Sequence, residues 1–256
     1  MAINLTLDTT LSRVRIAGTG LAAGTALFEK SLNTLSWTTV RGGEAVPIVA
    51  GAASLDDYEF SPGVVNHYRI DDGTDVWQSS ITPVQAEVWM KSISRPFLNR
   101  PVTVVSHSDI TREARNGVFP IIGRSAPVAI TDVRMARQWE MTLKADSVSD
   151  ADALELVLAG GDPLYIQVPP DGRDIPGGYV VVGTMTRRRF GHSSARRWFD
   201  LPMTVVAPPG PGVVGATMTW EALVAEFGNW SDVLSAFGSW AAVADYVADP
   251  DTVIVP

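Results

Sequence analysis

Through the first third of the chain, apolar and polar residues alternate in short runs. Val14 and Ile16 alternate with Arg13 and Arg15, and Trp37 with Val40, Val46 with Ile48, Tyr58 with Phe60 and Tyr68 with Ile70 mark further runs. A period of two sends successive side chains to opposite faces, so each run predicts a strand with one buried face. The intervening "RGGE", "SPGV" and "DDGTD" are turns, because Gly supplies positive φ while Pro and Asp set the flanking geometry. Short strands at this spacing predict an antiparallel β-sandwich over residues 1–84.

A second unit begins after "ITPVQAEVW". Its pattern predicts strands at Pro101–Ser106, Ala126–Arg134, Gln138–Ala145, Leu164–Val168, Tyr179–Thr186 and Arg197–Val206. One helix interrupts them: Ser149 opens a capping box with Asp152, "DADALELVLA" supplies the apolar face, and Gly160 and Gly161 end it. Residues 85–207 therefore read as a β-barrel or sandwich with one helix. The loop "PPDGRDIPGG" holds more Pro and Gly than a tight turn requires, and such loops often mediate contacts.

The last segment, residues 208–256, repeats a decapeptide led by Trp220, Trp230 and Trp240. Thr219, Asn229 and Ser239 can each cap a helix, Glu221 and Asp232 place negative charge in a first turn, and Gly228 and Gly238 can close one. Each unit predicts a short helix whose apolar face, such as Trp230, Val233, Leu234 and Phe237, must lean on something, because a helix of two turns is unstable alone. Two arrangements satisfy this need: the helices pack on one another or on the body, or they form a detachable arm that grips a partner. The segment has no Lys or Arg but six acidic residues, within a chain of net charge −8.

Composition narrows the classes. At 256 residues and 46% hydrophobic, the chain can bury one large core or two ordinary ones. With no cysteine, disulfides and thiolate metal sites are excluded. No apolar run reaches the ~20 residues that span a bilayer, and "MAINLTLDTT" lacks the basic and apolar regions of a signal peptide, so a cytosolic product with no membrane insertion is expected. The acidic balance argues against tight nucleic-acid binding, which needs Lys and Arg against phosphates, yet suits a surface past which DNA slides.

Few stretches carry candidate chemistry. Gly18, Gly20 and Gly24 follow a strand as in a dinucleotide-binding turn, but Arg13 and Arg15 do not suit a strand buried on both faces. Gly210, Gly212 and Gly215 read as a hinge. Ser193 lacks the glycine frame and the later histidine of a hydrolase elbow. His67, His107 and His192 are too far apart for a local metal site, and Asp56 with Asp57 and Asp71 with Asp72 read as solvated turns. No catalytic, cofactor or metal site is expected. The strongest cluster is Arg187, Arg188, Arg189, Arg196 and Arg197 in "TRRRFGHSSARRWF". It reads as an assembly patch complementary to acidic surface, as a solvated face, or as a nucleic-acid stripe.

The stretches "TGLAAGTALFEKSLNTLSWTTVRGGEAVPI" and "LDDYEFSPGVVNHYRI" resemble the N-terminal sandwich of minor tail proteins from long-tailed phages of actinobacteria. "GRSAPVAITDVRMARQWEMTLKADSVSDADALELVLAGGDPLYIQVP", with "YVVVGTMTRRRF" and "LPMTVVAPP", is similar to the β-barrel of distal tail and tail-tip proteins. The resemblance implies a non-enzymatic virion component, assembled in the host cytoplasm into a threefold or sixfold ring at the tail tip. Its implied neighbours are its own copies, the tail tube protein, hub or fibre proteins and the tape-measure protein, and it needs no sequence-specific nucleic acid. The interface expected on this reading comprises the five arginines and Trp220, Trp230 and Trp240. The competing expectation is a saccharide- or cell-surface-binding module in which Trp37, Trp77 and Trp89 stack on sugar rings.

Overall fold

A computed structural model of the chain describes residues 2–123, 125–170, 174–210 and 229–239. It is mainly β, as the alternation predicts, with two separate apolar cores.

The first core belongs to a sandwich of eight strands: β1 (Ala2–Asp8), β2 (Arg13–Thr19), β3 (Gly24–Ser31), β4 (Thr38–Thr39), β5 (Val46–Ile48), β6 (Ala52–Asp57), β7 (Asn66–Asp71) and β8 (Val76–Ile81). One sheet runs β1-β2-β6; the other runs β4-β3-β7-β8, with β5 also on β3. Val14 and Ile16 point into the core with Phe28, Tyr68 and Ile70, all at most 1% exposed. Arg13 and Arg15 point the other way, where both pair with Asp56. The antiparallel neighbours of β2 remove the dinucleotide-turn reading of Gly18 and Gly20, since that turn requires a parallel βαβ crossover. Tyr58 and Phe60 lie in a bend after β6 rather than in a strand.

The second core lies inside a closed barrel. Its elements are β9 (Val88–Ser92), β10 (Arg100–His107), β11 (Gly117–Phe119), β12 (Val128–Ile130), β13 (Gln138–Ala145), α1 (Val148–Ala159), β14 (Leu164–Gln167), β15 (Gly178–Val182), β16 (Thr186–Arg189) and β17 (Arg197–Val205). The strand order β13-β10-β9-β14-β15-β17 closes on itself through eight registered pairs between β13 and β17. Met90, Met141, Leu143, Val180, Phe199 and Leu201, none detectably exposed, fill the interior, and Leu154 and Val157 of α1 cover it. The helix cap is Ser147, whose side chain accepts from the Asp150 N–H at 3.0 Å, so the expected cap at Ser149 is one half-turn too late.

The predicted strand at Ala126–Arg134 is not a barrel strand. Only Val128–Ile130 is extended there, and it pairs with β11, a strand the alternation did not reveal. The predicted strand over Tyr179–Thr186 divides instead: β15 ends at Val182, and β16 begins at Thr186 as a separate flap on β17. Sandwich and barrel meet through the segment 82–87 and a close approach at Gly63. This residue has φ +73°, a Cβ there would run into Pro170, and its N–H donates to Pro83 O at 2.8 Å.

Candidate functional site

Strands β10 and β13 do not stop at the barrel rim. A bulge at Val105 shifts their register, with Val104 opposite Leu143 but Ser106 opposite Thr142, and beyond it the chain after β10 runs on along β13, which stays paired with β17 as far as Gln138 before the two leave the barrel together. Backbone bonds then continue outward, from Ser108 N to Glu140 O at 2.8 Å, between Thr111 and Gln138, and from Met135 N to Glu113 O at 2.9 Å. The excursion ends in the β11–β12 pair, where Val118 faces Ala129 and Phe119 faces Val128. The result is a two-stranded ribbon over residues 108–137, and none of its described residues is buried.

The ribbon is apolar on both faces. Adjacent residues point to opposite sides, yet Val118 is 61% and Phe119 53% exposed, and the tip adds Ile121 and a fully exposed Ile122. Isolated two-stranded ribbons are marginal in water, and an exposed apolar stretch of this kind is a candidate contact surface. The predicted site residues did not include it. Its sequence signal was the lack of alternation in "GVFPIIGRSAPVAI", with proline at 120 and 127 where a barrel strand would need N–H donors.

The basic cluster is brought together on β16 and β17, but much of its charge is matched within the chain. Arg187 reaches Glu155 at 2.5 Å and Asp152 at 2.8 Å on α1. Arg188 grips Asp200 with two nitrogens, Nη2 at 2.7 Å, and its guanidinium lies 5.5 Å from the Trp198 ring centroid. Its hydrogen bonds hold the Asp200 carboxyl below the usual carboxylate range. Arg196 lies 3.3 Å from Asp146, and Arg197 donates to Ser194 O at 2.7 Å. Arg189 is exposed, directly across the ladder from Arg197. The cluster is therefore partly a set of internal ties between flap, helix and barrel.

Of the three tryptophan-led units, the second is described. Asn229 caps α2 (Trp230–Phe237) by accepting from Asp232 N at 3.0 Å, and Gly238, at φ +73°, ends it with its N–H on Leu234 O at 2.8 Å. The cap, helix and stop read from the repeat are all present; Trp230 is 42% exposed, while Val233 is buried. Trp220 and Trp240 lie outside the described residues. Gly210, read as the start of a hinge, is held by Arg41 of the sandwich, whose Nη1 donates to its carbonyl at 2.7 Å.

The other candidates resolve within the chain. Asp56 and Asp57 are not a solvated turn: they end β6, where Asp56 takes Arg13 and Arg15, and Asp57, 1% exposed, takes Lys30 and the Tyr68 hydroxyl. Asp71 and Asp72 accept from the N–H groups of Gly73, Thr74 and Asp75, as turn carboxylates do. His67, His107 and His192 sit on β7, at the end of β10 and in the turn before β17, and the described residues contain no group of three His, Asp or Glu placed to hold a metal. Trp89 is 5% exposed and offers no face to a sugar, and the Arg69 guanidinium covers Trp37 at 4.5 Å. Among the described residues no helix is long and apolar enough to cross a membrane. No model of a known protein family matches the chain, and no curated protein matches it.

Proposed function

We propose that the chain is a structural subunit of a virion tail, a ring-forming component of the tail tip that joins the tail tube to hub or fibre proteins and leaves a channel for DNA. The observation that carries this reading is the ribbon, apolar on both faces and projecting from a closed barrel. Each Å² of apolar surface covered by a neighbour is worth roughly 25 cal/mol, so a subunit with this ribbon is stabilised by assembly.

Charge favours a like neighbour. Residues 108–137 hold five Arg (112, 115, 124, 134, 137) against Asp109, Glu113 and Asp132, a net of +2 in a chain of net −8, which leaves −10 on the rest. An arm of one copy on the body of the next is a heterologous contact, and such contacts make a ring when the rotation closes. The resemblance of the sequence to tail-tip and distal tail proteins supplies the particle and the neighbours. On this reading the subunit works by shape and multiplicity and makes or breaks no bond, and its acidic surface lets DNA pass without sticking.

Immunogold labelling of phage particles that encode the chain tests the location. Gold at the distal end of the tail is expected; label confined to the capsid, or to no part of the particle, overturns the reading.

A further inference from the structure

The junction between sandwich and barrel holds a buried lysine. Lys91, on β9 of the barrel, is 2% exposed, and its Nζ donates to two carbonyls of the sandwich, Ser12 O at 2.5 Å and Tyr58 O at 2.7 Å. The nearby Gln167 amide donates to Phe60 O at 2.5 Å, and the single hydroxyl proton of Ser12 is shared between the side-chain carbonyls of Gln85 and Gln167. Ser12 itself sits at φ +47°, a left-handed conformation that this set of bonds holds in place.

No carboxylate pairs with Lys91 among the described residues. The facing groups are engaged elsewhere: on β6, Asp57 takes Lys30 of β3 at 2.8 Å and the Tyr68 hydroxyl of β7 at 2.9 Å, and Glu59 takes Arg41 at 2.7 Å. Tyr165 stands opposite Lys91 across the β9–β14 ladder, its hydroxyl pushed up to about 12 by burial. Two carbonyls match the two N–H groups of a neutral amine. The ring faces of Phe60 at 4.8 Å and Trp89 at 5.9 Å and the carboxylates of Asp57 and Glu59 favour the charge, Lys30 opposes it, and the loss of water at this buried site outweighs the favourable contacts. A cleft of about 320 Å³, lined by Leu7, Ser12, Phe60, Val84, Gln85 and Trp89, already parts the two modules beside this point, and each module keeps its own core.

We propose that the sandwich–barrel junction is a proton-sensitive joint centred on Lys91, closed around the neutral amine and opened when that amine takes up a proton. Burial lowers the ammonium from its ordinary 10.5 to about 7 when the joint is closed. A solvated amine in the open joint keeps the ordinary value, so the open form binds the proton more tightly. Closure therefore strengthens as pH rises from about 7 toward 10, up to tenfold in the opening constant per pH unit, and is flat below 7.

Hydrogen exchange of the full-length chain, followed by mass spectrometry from pH 6 to 9 and corrected for intrinsic rates, tests this proposal. Peptides covering residues 58–66 and 83–92 are expected to gain protection up to tenfold per pH unit above pH 7, while peptides of β13 and β17 do not follow them. In Lys91→Met the slope disappears. Equal junction protection at pH 6 and 9 in the unaltered chain overturns the proposal, whether or not the variant folds. So does a barrel core that moves in parallel, which would mean global unfolding, or a Lys91→Met chain that keeps the slope. The outcome is independent of where the chain sits in a particle.

Discussion

Arg187 and Glu155 lie 2.5 Å apart, guanidinium to carboxylate, and tie the β16 flap to helix α1. A residue held this way acts first on its own fold, whereas its neighbour Arg189 is exposed and, on the proposed reading, available to another copy. Replacing Arg187 with Ala should lower the thermal midpoint at low salt, with the difference shrinking in molar salt, and leave the oligomeric state unchanged. Replacing Arg189 with Ala should leave the midpoint nearly unchanged and weaken assembly. Calorimetry beside mass photometry reads both, and loss of assembly in Arg187→Ala at an unchanged midpoint would refute this division.

Asp200 gives the same flap a pH dependence. Arg188 holds its carboxyl below the usual range, so its folded value lies below its unfolded one. The stabilisation is thus complete above the unfolded value of about 4 and is lost as pH falls through the folded value. Unfolding free energies of the unaltered chain and of Asp200→Asn should differ by on the order of 1 kcal/mol at pH 6 and converge under strongly acid conditions. A gap that widens on acidification would contradict the assignment.

Phe28 and Phe199 are each fully buried, one in the sandwich and one in the barrel. Truncation to Ala leaves a cavity and should cost about 3–5 kcal/mol in either case. Because the cores are separate, denaturant unfolding monitored by module-specific hydrogen exchange should show each substitution weakening chiefly its own module. Equal loss in both modules from either change would mean a single cooperative unit.

Gly63 tests the junction from the other side. It combines a positive φ with no room for a Cβ beside Pro170, so Gly63→Ala should loosen the contact between modules by about 1–3 kcal/mol while both cores stay folded. Increased exchange confined to residues 58–66 and 83–92 is the expected readout. Unchanged exchange there would remove Gly63 from the junction.

Much of this architecture is legible in the chain wherever one face is buried and the other wet. Val14 and Ile16 against Arg13 and Arg15 give the face of β2 outright, and Gln138–Ala145 is a strand to the residue. The unit led by Trp230 is legible because caps and stops are local chemistry. What stays hidden depends on distant partners. Nothing near Lys91 in sequence signals its burial, since the carbonyls that hold it lie 79 and 33 residues away. The ribbon hides for the opposite reason: apolar side chains on both sides resemble a buried strand, and local sequence does not tell a core from a neighbour's surface. Arg187 and Arg188 look like part of a free patch because Asp152 and Glu155 reach the first, and Asp200 the second, only once β16 folds beside α1 and β17.

The account stands or falls on the ribbon joining one copy to the next. Mass photometry of the full-length chain, alone and as Phe119→Ser with Ile122→Ser, measures this directly, since both side chains are exposed and their loss leaves each core intact. Closed assemblies of one fixed copy number are expected for the unaltered chain, and folded monomers for the double variant. An unaltered chain that stays monomeric at every concentration, or a double variant that assembles as before, would contradict it.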